Sequence, residues 1–291
     1  MTYVGSEEID KTLSRSTNKP TIVPGGSVCN TIVGVSKLGG AARFVGQCGK
    51  GRLGNFFKSD LMRQHVEPSL FYSDDPTGRV LSIITPDAQR SMMTYLGAAS
   101  QMDPAKIDKD CFKGAAIVYV EGYLLFNPEL IRAALKAARA VGAKIALDLA
   151  SFNVVEESKP LLDEIVTDYV DILIANEDEA MAFTGYAGES DALRALAELA
   201  EIAVLKVGKR GSYIYRSGKE IRIHPTGNGD IVDTTGAGDL WASGFLYGLV
   251  NGLTLETCGQ LGSACGYEVC RVIGANIPDD GWARIKRILA P

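Results

Sequence analysis

Asp233-Thr234-Thr235-Gly236-Ala237-Gly238-Asp239 runs directly into the apolar stretch Leu240-Trp241-Ala242-Ser243-Gly244-Phe245-Leu246. Two glycines flanking an alanine leave the main chain bare where a helix begins. There the first N–H groups have no intrahelical partner and the helix dipole is positive. Such a turn can hold an anion, most naturally a phosphate in transfer. Asp239 follows at once, and a carboxylate at that point can take the proton of a hydroxyl attacking a phosphorus held by those amides. Read alone, the same residues also make a plain glycine turn with an acid in the first helical turn. Pro24-Gly25-Gly26-Ser27-Val28-Cys29-Asn30 is a second bare loop, leading into the apolar helix Thr31–Leu38. Paired glycines let backbone approach a ligand closely. Ser27 suits an N-cap, and Asn30 could point its carboxamide at a sugar hydroxyl. A simple capped helix is the alternative. A third loop, Gly49-Lys50-Gly51-Arg52-Leu53-Gly54, matches the G-x-G-x-x-G of dinucleotide-binding turns in the required strand–turn–helix setting. Its strand does not open a repeating unit, and the next acids, Glu67 and Asp74, do not end an obvious second strand, which argues against nicotinamide binding.

The elements that must position these loops alternate in type. Short β-rich runs read as buried strands at Arg43–Gln47, Ala116–Glu121, Lys144–Asp148, Asp171–Ala175 and Ile202–Val207. Stretches with helical periodicity lie between and after them: Asn55–His65, Pro128–Val141, Asp191–Ala200 and Asp239–Val250, then Leu255–Ile273 and Trp282–Leu289. This alternation predicts an α/β fold with a mostly parallel central sheet covered by helices on both faces. Gly78–Thr85 and Ser91–Leu96, around Pro86-Asp87-Ala88-Gln89, read as a β-hairpin that interrupts the rhythm and is a candidate lid. A second hairpin, Ser212–Tyr215 with Ile221–His224, turns at Ser217-Gly218-Lys219. No repeat, low-complexity tract or linker stands out, so residues 1–291 read as one domain with lid strands around 1–5 and 77–97.

Composition narrows the chemistry. Thirty basic against thirty-five acidic side chains give a net charge of -5, which argues against a nucleic-acid footprint or a polybasic membrane surface while leaving room for a local phosphate pocket. The 291 residues are 46% apolar, ordinary for a globular protein, and no apolar run approaches the roughly 20 residues of a membrane span. Residues 1–10 carry three acids and no signal-peptide pattern. The six cysteines form no C-x-x-C pair and there are two histidines, so a tetrahedral zinc site is not expected; buried thiols in a reducing cytoplasm are.

Taken together, the loops resemble the ribokinase/PfkB-type carbohydrate and nucleoside kinase family. Val232–Asp239 is similar to that family's C-terminal signature, and Gly25-Gly26-Ser27 with Asn30 to its N-terminal one. Phe44-Val45-Gly46, Gly49, Gly54 and Phe57 resemble the loop and helix that follow, which accounts for the dinucleotide-like match. Asn176-Glu177-Asp178-Glu179 resembles the N-x-x-E motif. The resemblance implies a ribokinase-like fold and an ATP-dependent transfer to a primary hydroxyl of a sugar or nucleoside. Asp239 would be the base and Gly236, Ala237 and Gly238 the anion hole. Gly25, Gly26, Ser27, Asn30 and Phe152 would face the acceptor. Asn176, Lys206, Gly208, Ser263 and Asn276 would bind the nucleotide. Asn176 and Glu179 would organise Mg2+ through water, and Asp233 and Thr235 a monovalent cation such as K+. Pro76-Thr77-Gly78-Arg79, Arg90–Ala98, Tyr119–Tyr123 and Leu149 with Phe152 lean toward the adenosine-kinase-like branch. A small-molecule acceptor, no nucleic acid, no membrane, a monomer or homodimer and a cytoplasmic setting are the expected company.

One departure stands out. The family begins with a strand bearing a G-N-x-x-x-D-like motif, whose Asp grips sugar hydroxyls. Here Met1-Thr2-Tyr3-Val4 resembles a lid segment instead. The expectation is a true start further upstream, or something else in that strand's slot, since unpaired central-strand neighbours are costly. A catalytically weak nucleotide-binding or regulatory protein is therefore the alternative reading.

Overall fold

Because strands buried on both faces must be apolar throughout, the runs at 144–148, 172–176 and 202–206 form the middle of a sheet, with 117–121 at its edge, and amphipathic helices join them. The computed structural model describes residues 2–84, 90–229 and 231–289. Its strands are β1 (Thr2–Tyr3), β2 (Ala42–Gly49), β3 (Val66–Ser73), β4 (Thr77–Ile84), β5 (Arg90–Gly97), β6 (Ile117–Glu121), β7 (Lys144–Asp148), β8 (Ile172–Asn176), β9 (Ile202–Lys206), β10 (Ser212–Arg216) and β11 (Lys219–Ile223). Its α-helices are α1 (Ser6–Arg15), α2 (Ser27–Leu38), α3 (Arg52–Arg63), α4 (Pro128–Ala140), α5 (Phe152–Glu157), α6 (Lys159–Tyr169), α7 (Glu177–Thr184), α8 (Glu189–Ala197), α9 (Ala237–Val250), α10 (Leu255–Cys270) and α11 (Asp279–Lys286).

The main sheet has the order β11-β10-β9-β8-β7-β6. β6 through β9 run parallel, each joined to the next by helical crossovers; the tight Gly208–Gly211 connection then makes β10 antiparallel to β9. Period-two alternation serves both faces. Leu147, Leu173, Ala203 and Leu205 pack with α4 through α8, while Ala146, Ile172, Ile174, Ile202 and Val204 pack with Trp241, Ala242 and Phe245 of α9. Helix α9 is apolar all round and is covered by sheet, α2 and α10. Its contact with α10 is backbone-close: a methyl on Gly244 would lie 2.6 Å from the Leu261 carbonyl oxygen, and one on Gly262 would lie 2.8 Å from that of Trp241.

One expectation changes, and two elements appear that the sequence pattern did not announce. The run at 43–47, expected among the strands of the main sheet, belongs to β2, which pairs in parallel with β3 as a separate two-stranded sheet. Its polar members explain this: Arg43 and Gln47 reach out to carbonyls of Cys111, Lys113 and Ala98. β3 shows no clear strand pattern because Glu67-Pro68-Ser69 interrupts it, yet Pro68 is harmless on a strand paired on one side only. Helix α6 was hidden by Pro160, which occupies the first helical turn, where a missing N–H costs nothing. As for the slot of the family's first strand, β6 and β2 lie in different sheets, and neither pairs with a further strand on its other side among the described residues. Helix α2 packs against both.

β4 and β5 form the expected antiparallel pair, and β1 adds to β5 in parallel, giving a third small sheet. Its expected turn, Pro86–Gln89, lies outside the described residues. Helix α1 ties this sheet down: Arg79 Nη1 donates to Asp10 at 2.7 Å, and Ile9 is buried. The second hairpin pairs Arg216 with Lys219 across Ser217 and Gly218, both at positive φ as a two-residue turn of type I′ demands. Among the described residues, no helix is long and apolar enough to cross a membrane.

Candidate active site

Helices α2 and α9 lie side by side, in contact where Gly34 leaves no room for a methyl against Ser243. Asn30 meets Asp239 four residues earlier on each helix, so the two helices run parallel and their N-termini converge. Asn30 Nδ2 donates to Asp239 Oδ2 at 2.8 Å, and the Thr31 hydroxyl donates to the Asp239 carbonyl at 3.1 Å. Each helix starts on a glycine that an L-residue would strain: Gly26 at φ 108° and Gly236 at φ 74°. This corrects the N-cap expectation. Gly26 takes the capping position and Ser27 becomes the first helical residue, where its hydroxyl lowers the pKa of both Asp239 and Glu121 against their burial. The Gly236 turn is wedged against Ala275, and Asp233 braces it by accepting from the Thr235 N–H at 2.9 Å, the Thr235 hydroxyl at 2.6 Å and the Gly274 N–H at 2.9 Å.

Charge gathers behind these termini, where β6, β7 and β9 end. Lys206 Nζ donates to Asp148 Oδ2 at 2.7 Å, with both side chains almost wholly buried. Burial raises the Asp239 pKa; hydrogen bonds from Asn30 and Ser27 pull it back, Asp148 pushes it further up and Lys206 opposes that push. Burial likewise raises Glu121 to about 7, with Ser27 opposing and Asp239 adding. Glu121 Oε2 is buried without a hydrogen-bond partner among the described residues.

Asn176 and Glu179 form a capping box at the start of α7. Asn176 Oδ1 accepts from the Glu179 N–H at 2.9 Å, Glu179 Oε2 accepts from the Asn176 N–H at 2.8 Å, and Asn176 Nδ2 donates to Glu179 Oε1 at 2.7 Å. Glu179 is raised to about 7 by burial and then by Asp148, against the pull of Lys206. Asn176 stands beside Lys206 in the register of β8 and β9.

The remaining expected residues are more dispersed. Gly208, at φ 55°, opens the short turn after β9. Phe152 starts α5 and is 45% exposed. Ser263 sits inside α10, where its hydroxyl donates to the His224 carbonyl at 3.2 Å and accepts from the Thr226 N–H at 2.9 Å. Asn276 is exposed on the loop that also carries Ala275 and Gly274. Motif reading gave no role to Glu121 or Asp148. Their signal was only that each ends a buried strand on an acid, at the carboxyl end where open α/β sheets bind ligands. In the third glycine loop, a methyl on Gly54 would collide with the Gly49 carbonyl oxygen, so that glycine pattern serves close packing of β2 and α3.

The parallel core, the helices on both faces and the paired N-termini define a ribokinase-like α/β fold. An adenosine kinase from Sinorhizobium meliloti superposes with a TM-score of 0.89 at 32% identity, covering 99% of this chain and 90% of that one. A probable sugar kinase from Rhizobium etli CFN 42 gives 0.90 at 31%, covering 99% and 88%. In sequence, a 5-dehydro-2-deoxygluconokinase from Bacillus subtilis strain 168 is 28% identical over 82% of this chain and 78% of its own length. The model of the pfkB family of carbohydrate kinases matches residues 3–281, and the chain belongs to that family.

Proposed function

We propose that the protein transfers the γ-phosphoryl group of ATP to a primary hydroxyl of a sugar or nucleoside. The observation that carries this reading is the contact between Asn30 and Asp239. It joins two glycine-started helix termini, one suited to an acceptor and one to a phosphate, around the Asp239 carboxylate. Gly25, Gly26, Ser27 and Asn30 bind the acceptor so that its hydroxyl reaches Asp239. The carboxylate takes the proton as the oxygen attacks phosphorus. The N–H groups of Gly236, Ala237 and Gly238 hold the charge that builds on the phosphoryl oxygens; removing one such donor typically costs about 10²–10³ in rate. Lys206, Gly208, Ser263 and Asn276 mark the nucleotide side.

Mg2+ suits Glu179 and Asn176. Glu179 is a buried carboxylate whose pKa is raised first by burial and then by Asp148, so a nearby cation would favour its ionised form. Among the described residues, no group of three or more His, Cys, Asp or Glu side chains is placed to hold a metal. Magnesium tolerates this because it keeps several waters and takes phosphate oxygens. When bound, it neutralises charge on the β- and γ-phosphates. A monovalent cation such as K+ at the turn of Asp233 and Thr235, and closure of the β1-β5-β4 sheet as a lid, complete the proposal.

The test is ADP release with a panel of nucleosides and sugars, alongside ATP binding. Turnover with one acceptor class supports the reading. ATP binding without ADP release from any of them favours the weak-binding alternative.

A further inference from the structure

Lys206 ends β9, a central strand, with its side chain 13% exposed. A buried ammonium is costly unless it is paired. Asp148 supplies the pair at 2.7 Å, and Asp148 is itself fixed, since its other oxygen accepts from the Ala150 N–H at 3.0 Å. The ammonium also lies under the anion hole: a methyl on Gly238 would be 3.3 Å from Nζ. Burial opposes the charge of Lys206, but Asp148, Glu179 and Asp239 together outweigh it and its pKa rises. The titratable and charged groups facing Asp239 are Cys29 on α2, Tyr119 and Glu121 on β6, Tyr123 just beyond, Asp148 on β7 and Lys206 on β9. Among these six, Lys206 is the cation.

We propose that Lys206 is a positioning residue of the transfer centre: clamped by Asp148 beneath Gly238, it is the buried counter-charge that keeps the Asp239 carboxylate ionised to act as base. This rests on the phosphotransfer reading above, and it gives Lys206 a task directed at the base and not at the nucleotide.

The test follows the Asp239 carboxyl by NMR titration of the full chain without nucleotide, the resonance being assigned by its loss in D239N. In K206M the midpoint rises, because loss of a nearby opposite charge disfavours the carboxylate. In K206R it stays near wild type. In D148N it falls, because an anion is removed while Lys206 still faces Asp239. A merely structural lysine gives no such opposed shifts. With an active acceptor, the acid limb of the kcat/KM profile moves in the same directions. An Asp239 midpoint equal in K206M and wild type overturns the proposal. If K206M does not fold, an unchanged or raised midpoint in D148N overturns it. Opposed midpoint shifts with no ADP from any acceptor would sink the kinase reading and leave the Lys206 placement intact.

Discussion

The proposed transfer centre and the exposed rings of Tyr3, Phe126 and Phe152 are built to different standards. At the centre, Asp148 and Glu179 are buried, Asp239 and Lys206 are largely covered, and each is held by a side chain or amide from another element or turn. At the rim, Tyr3, Phe126 and Phe152 are nearly half exposed, at 48%, 45% and 45%, and the Tyr3 and Phe126 rings meet edge-on at 6.4 Å. Centre geometry must hold to a fraction of an ångström for a proton and a phosphoryl group to pass. A rim of exposed rings on separate elements can vary without touching it.

Substitutions can break or sharpen this contrast. The largest effect belongs to Asp239→Asn, which keeps shape but cannot take a proton. Turnover should fall by about 10²–10⁴ while ATP affinity, read by calorimetry, stays within a few-fold. An activity within about threefold of wild type would make Asp239 a mere helix-start residue. Wild-type kcat/KM should also decline on the acid side, through the raised pKa of Asp239, because the base works only when deprotonated. Gly238→Val comes next. Its side chain would press on Lys206 Nζ and crowd the amides, lowering turnover by about 10²–10³ and, unlike Asp239→Asn, weakening ATP binding too.

Glu121→Gln tests the boundary between the two regions through stability. A carboxyl raised from 4.5 to about 7 in the fold binds its proton more tightly folded than unfolded. That contribution is fully present below pH 4.5 and is lost as pH rises through 7. The variant should therefore gain about 1–3 kcal/mol over wild type at pH 8, read by urea melts, and little at pH 4. The smallest effect belongs to the rim. Phe152→Ala should raise the acceptor KM by up to about tenfold, the usual worth of an aromatic contact, with the KM for ATP unchanged. A kcat collapse there would erase the distinction.

The same contrast explains what could be read before folding. Loops whose chemistry is local, such as Gly236–Asp239 and Gly25–Asn30, announce themselves by residue type and spacing, and the parallel strands by unbroken apolar runs. The clamp between Lys206 and Asp148 spans 58 residues and arises only when β7 and β9 are placed on either side of β8. No spacing rule reaches that far. Ser27 misled because its type suits a cap, but the positive φ of Gly26 took the cap for itself. β3 was illegible because a proline tolerable at a one-sided strand looks like a breaker elsewhere.

The contact of Gly34 with Ser243 has a practical consequence for engineering. Because no methyl fits between α2 and α9 there, the spacing of their two N-termini is a fixed gauge, set several residues behind the chemistry. Any residue larger than glycine at position 34 would act as a shim and reset the gap between nucleophile and phosphorus without touching either. Libraries meant to widen the acceptor range should therefore spare this seam and spend their diversity on the exposed ring of Phe152, which the proposed function sets toward the acceptor.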